Sequence, residues 1–173
     1  WYVMNNEEII NKVANSGLIN IDLSNYAPKE EILELDIKQF LFKGVILKEK
    51  EFRSELKNYN FKKYKKKHVA LYCGTNTIIP MWAYMLITTY LSQVDAIVNF
   101  GNKQSVFQSL MLENINSIEA DDFLEKRVLV NGCSTIELNE SLYIAITKKL
   151  QNKVKSLMFG EACSAVPIYK KRK

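Results

Sequence analysis

Three cysteines, Cys73, Cys133 and Cys163, are the residues of this chain best suited to chemistry, and each lies just after a short apolar run. Thiolates hold soft metals and iron–sulfur clusters, and a thiolate with a lowered pKa attacks carbon or sulfur. A free cysteine also serves as a small core residue. Position must therefore decide between these roles. The close C-x-x-C spacing of structural zinc and ferredoxin sites is absent from the sequence, so a shared site would have to be assembled by the fold.

The elements that would assemble it are written twice. Tyr64–Gly101 and Phe123–Gly160 align without gaps at a constant offset of 59. Val69/Val128, Tyr84/Tyr143, Ile87/Ile146, Thr88/Thr147, Leu91/Leu150, Phe100/Phe159 and Gly101/Gly160 are identical. Each copy has a strand-like run, a cysteine-bearing loop, an apolar stretch with helical spacing, and a second strand ending in Phe-Gly. That is a βαβ unit. Pro80 suits a helix first turn and Asn139 an N-cap, so both loops feed helix N-termini. Pro80–Leu91 is apolar nearly all round and is expected to be buried, whereas Asn139–Leu150 has a polar face.

Lys103–Asn116 reads as a helix returning the chain to the second copy. Glu7–Asn15 and Glu49–Asn58 read as further helices, Leu18–Leu23 and Glu31–Ile37 as strands, and Ala165–Tyr169 as an edge strand. The expectation is an α/β fold: a single domain over residues 4–173, with a mostly parallel sheet, helices on its faces, two βαβ repeats and an N-terminal extension. Met4 reads as an initiator, which sets Trp1, Tyr2 and Val3 outside the fold, and the residues after it do not read as a secretion signal.

Ligands of open parallel sheets bind beyond the carboxyl ends of the strands. Cys73 and Cys133 fall at that end, one residue apart in the repeat alignment, and Cys163 follows another strand by a few residues. The expected site is therefore Cys73, Cys133 and Cys163 on one rim. Glu161 is added as a fourth ligand or proton acceptor, although a solvated loop glutamate is the ordinary alternative. His68 lies five residues before Cys73, about 16 Å away at ~3.3 Å per residue, and is a poor ligand. Tyr84 and Tyr143 either face this rim or fill the core.

The net charge is +5, and 47% of the residues are apolar. Lys62, Lys63, Lys65, Lys66 and Lys67, with Lys170, Lys171, Arg172 and Lys173 at the end, supply the excess. Such runs are usually solvated faces. With no recognised nucleic-acid motif beside them, nucleic acid is not an expected partner. No apolar stretch reaches membrane-spanning length, and a cytoplasmic location with reduced thiols is expected.

Several segments resemble a known family: Cys73-Gly74 with Ile79–Met85, Asn131-Gly132-Cys133-Ser134, Phe159–Pro167, Asp36-Ile37-Lys38 and Leu47–Arg53. Together they are similar to the uncharacterised bacterial domain of unknown function numbered 2480, over essentially the whole chain from Met4. Ala162 stands where that family's Glu-Pro-Cys pattern has proline. The resemblance implies a small cytoplasmic protein with the three cysteine segments as hallmarks, and iron–sulfur assembly or client proteins as partners.

The leading expectation is a metal-binding protein in which the three cysteines hold an iron–sulfur cluster or a single iron or zinc ion, for cluster binding, transfer or redox support. The first rival is a thiol-dependent enzyme or sulfur carrier with one cysteine as nucleophile. The second is an interaction module, homodimeric in one version, with cysteines merely packed.

Overall fold

The computed structural model describes residues 17–172. The helix read at Glu7–Asn15 lies outside them, as do Trp1, Tyr2 and Val3. In chain order the elements are β1 (Leu18–Asp22), β2 (Ile32–Asp36), α1 (Glu49–Asn58), β3 (His68–Tyr72), α2 (Met81–Ser92), β4 (Ile97–Phe100), α3 (Lys103–Asn116), β5 (Arg127–Asn131), α4 (Glu140–Leu150), β6 (Ser156–Phe159) and β7 (Val166–Lys170). The α/β class, the mostly parallel pairing and the two βαβ repeats are as the sequence implies.

The strands pair into two sheets rather than one, with orders β2-β3-β4 and β1-β5-β6-β7. The chain correspondingly divides into two compact units. One is Pro28–Ser109, and the other joins the described residues up to Ala27 to those from Leu110 onward. We call them the β3 unit and the β5 unit.

Each unit carries one copy of the repeat, and the copies are longer than the sequence alignment suggests. A parallel strand stands in front of each: Ile32 pairs with His68 and Asp36 with Tyr72, while Leu18 pairs with Arg127 and Asp22 with Asn131. These registers coincide in the repeat alignment. Both leading strands end in an aspartate that caps a short 3₁₀ turn. The Oδ1 of Asp22 accepts the Ser24 N–H and that of Asp36 accepts the Lys38 N–H, each at 2.9 Å. Aspartate suits this place because its short carboxylate satisfies a backbone donor left free at the turn.

Within each copy the first strand is covered on both faces, as parallel strands in α/β proteins are. His68, Val69, Ala70 and Leu71 of β3 are buried, as are Val128, Leu129 and Val130 of β5. The following helix seals one face with residues four apart: Ala83, Ile87 and Leu91 on α2, and Leu142, Ile146 and Leu150 on α4. The expectation that α2 is buried all round is corrected. Its outer side exposes Met81 at 72% and Met85 at 69%. The helix carries more apolar residues than one core-facing stripe uses.

The second strand of each copy is followed by a glycine with positive φ, 130° at Gly101 and 108° at Gly160. The N–H groups of these glycines bond Leu71 O and Val130 O, both at 3.0 Å. A side chain is strained at such angles, which accounts for the repeated glycine. The copies part here. After Gly101 the chain enters α3, capped by the Asn102 side chain on the Ser105 N–H. After Gly160 it turns back as β7, antiparallel to β6.

Candidate functional site

The carboxyl end of β5 leads through Gly132 into the loop that carries Cys133 and ends at Asn139. That asparagine caps α4 by accepting the Leu142 N–H at 3.4 Å, as its sequence position implies. The loop is tied to the turn after β1. Asp22 holds the turn, and Ser24 Oγ accepts the Cys133 N–H at 2.7 Å. The backbone of Cys133 is thus fixed by the leading strand of its own unit while its side chain is exposed.

The sulfur of Cys133 lies 3.0 Å from Thr135 Oγ1. Donation from the Thr135 hydroxyl, and then from the Thr135 backbone N–H, stabilises the thiolate and holds the Cys133 pKa below the ordinary thiol value. Partial desolvation and the Asp22 carboxylate oppose this shift without cancelling it. A threonine two residues after the cysteine is therefore the group that favours its thiolate.

Cys73 is built differently. It aligns with Gly132, not with Cys133, and one step along an extended chain turns a side chain to the opposite side. A Cβ on Gly132 would meet the Tyr143 hydroxyl at 3.0 Å. The thiol of Cys73 correspondingly acts on Tyr84, whose pKa is raised by burial first and by Cys73 second. Cys73 is half-buried and packs against the core of the β3 unit. Its neighbour Gly74, which aligns with Cys133, gives its N–H to Asp36 Oδ1 at 2.8 Å.

Cys163 lies in the β6–β7 turn, which the Ser164 N–H closes on Glu161 O at 3.0 Å. Its thiol is exposed, with the Ser164 hydroxyl 4.0 Å away. Glu161 is exposed in the same turn. Since β5 pairs with β6, Cys133 and Cys163 both follow the carboxyl ends of adjacent strands of one sheet. Cys73 follows a strand of the other. The expectation that all three follow strands of a single sheet is corrected. Among the described residues no group of three His, Cys, Asp or Glu side chains is placed to hold a metal ion. His68 starts β3 at the end remote from Cys73, with Nε2 3.7 Å from Glu30 Oε2, as its sequence position implies.

Beside each cysteine loop the helix and second strand form an apolar groove. Tyr84 meets Phe100 edge to face with centroids 5.7 Å apart, and Tyr143 meets Phe159 the same way at 5.7 Å. The tyrosines thus line grooves. The Tyr143 hydroxyl lies beside Gly132, 3.0 Å from where a Cβ would stand, and burial and then the Asp22 charge raise its pKa.

A family model described as "Protein of unknown function (DUF2480)" matches residues 7–171. The chain belongs to this family. No curated protein and no solved structure matches it. In this DUF2480 chain the match takes in both repeats and all three cysteine segments. Among its described residues no helix is long and apolar enough to cross a membrane.

The residues that sequence reasoning missed in this DUF2480 protein are Asp22, Ser24 and Thr135. A signal for Asp22 was present. Ile21-Asp22-Leu23-Ser24 and Leu35-Asp36-Ile37-Lys38 are two copies of one short pattern, each leading its own unit.

Proposed function

We propose that this protein works through the thiol of Cys133, as a thiol-dependent enzyme or sulfur carrier. The observation that carries this reading is the exposed Cys133 sulfur 3.0 Å from the Thr135 hydroxyl, at the strand end where α/β proteins place their chemistry. The thiolate is the nucleophile of cysteine chemistry. Its attack on the near sulfur of a disulfide or persulfide forms a new S–S bond, and the electron pair of the broken bond leaves on the donor's other sulfur. Ser24 fixes the Cys133 backbone, and Thr135 stabilises the charge before attack.

Site-resolved labelling with a limiting electrophile tests this, read by peptide mass spectrometry. The expected order is Cys133 first and half-buried Cys73 last. Equal slow labelling of all three would contradict the proposal.

The metal reading has narrower support, namely Cys133 and Cys163 after adjacent strands of one sheet. Two thiolates leave a tetrahedral ion or a cluster short of ligands, so Glu161 or a partner would have to complete it. Purification and iron–sulfide reconstitution without oxygen separate the two. Colourless, metal-free protein would leave the thiol reading standing and end the cluster reading.

A further inference from the structure

We infer that the outer edge of β4 is a dimerisation edge, at which β4 of a second copy of this chain adds antiparallel to make one continuous sheet. The other repeat covers the same edge with its own chain. The outer side of β6 is taken by β7, antiparallel, and the Ile168 side chain closes the β5-unit groove. Five positions of that groove, Val130, Tyr143, Thr147, Leu157 and Phe159, have repeat equivalents in Leu71, Tyr84, Thr88, Val98 and Phe100, which line the β3-unit groove. There the chain leaves for α3, and among the described residues no strand takes the outer side of β4. The groove beside it is larger, about 570 Å³ against about 310 Å³. One repeat contains its closing strand and the other lacks it.

The edge itself is unguarded. Edge strands that must stay unpaired carry charge or proline, as β7 does with Pro167 and Lys170. β4 reads Ile97-Val98-Asn99-Phe100, with neither. Ile97 is 53% exposed, and Phe100 is 76% exposed and shares its groove with the exposed Met81 and Met85 of α2.

A second copy fits this edge better than an arbitrary strand for four reasons. A two-fold axis through an edge makes an antiparallel pair, the direction β7 takes. With the axis at Asn99 and normal to the sheet, Phe100 of each copy stands opposite Val98 of the other. Both residues line the groove, so each copy supplies apolar side chains to the other as Ile168 does within the β5 unit. The same axis sets Asn99 against its equivalent, offering an amide partner to an Oδ1 that is buried and has none among the described residues. It also directs the acidic Asp95 end of one β4 toward the Lys103 end of the other.

Sedimentation equilibrium of the full chain tests the inference, with circular dichroism as the check on folding. The unmodified protein is expected at twice its 20.0 kDa chain mass. Ile97→Lys and Phe100→Glu, both at exposed positions, are expected to weaken the dimer at least tenfold without loss of secondary structure. If either variant fails to fold, amide exchange of unmodified protein serves instead, and β4 amides are expected to be protected more at high concentration than at low. A monomer at all concentrations overturns the inference. So does a dimer that resists both substitutions, or β4 exchange that ignores dilution.

Discussion

Cys133 Sγ sits 3.0 Å from Thr135 Oγ1, while the backbone N–H of the same cysteine is held by Ser24 at 2.7 Å. One bond acts on the charge of the thiol and the other on its position. The two partners come from different elements, Thr135 from the cysteine's own loop and Ser24 from the turn after β1. This division makes their contributions separable by mutation.

Thr135→Val keeps the shape and the backbone N–H but removes the hydroxyl, which is the largest influence lowering the Cys133 pKa. The pKa is expected to rise toward that of an ordinary thiol. Near neutral pH, where the thiolate is the minor form, alkylation of Cys133 should slow. At high pH, where both proteins are fully ionised, the rates should converge. A pH series of alkylation rates checks both limbs.

Asp22→Asn should act in the opposite direction. The Asp22 carboxylate raises the pKa of both Cys133 and Tyr143. Removing its charge while keeping a side-chain oxygen for the Ser24 N–H is expected to lower both. The checks are faster Cys133 alkylation near neutral pH and a Tyr143 ultraviolet titration shifted to lower pH. Because the groups are near the surface, added salt should shrink the effect.

Asp36 accepts two backbone N–H groups, from Lys38 at 2.9 Å and from Gly74 at 2.8 Å. It joins the end of β2 to the loop that follows β3. Asp36→Ala loses a cap and a loop tie together, with an expected cost of about 1–2 kcal/mol. A urea midpoint lowered with little change in slope would show it.

The repeat makes a paired prediction. Ile87 on α2 and Ile146 on α4 are equivalent, and both are buried, at 0% and 1% exposure. Truncation of either to alanine should cost about 2–5 kcal/mol. The two values should be close, because each residue is the middle of a three-residue stripe closing the same kind of strand–helix face. Chemical denaturation of the two variants measures this.

The repeat and its elements were legible because helical and strand periods differ, and because a gapless offset preserves them. Glu49–Asn58 and Lys103–Asn116 fall where their patterns place them. The partition into two sheets was not legible. Apolar runs such as Leu18–Asp22 and Ile32–Asp36 state that a strand exists without naming its neighbour. The two leading strands are consecutive in the chain, yet they pair with β5 and β3 respectively. The surroundings of the cysteines were half legible. Their place after strands was read correctly. A shift of one residue between Cys73 and Cys133, minor in an alignment, decides between a half-buried thiol facing tyrosine and an exposed one beside threonine. Thr135 escaped notice because a lone threonine in a loop has no pattern to announce it.

Whether Cys133 is a poised nucleophile is decided by the pH dependence of its alkylation rate, resolved by peptide mass spectrometry against an unstructured cysteine peptide in the same tube. A poised Cys133 shows an inflection below that of the peptide, with faster labelling near neutral pH. An inflection at or above the peptide's, with slower labelling at every pH, would contradict it.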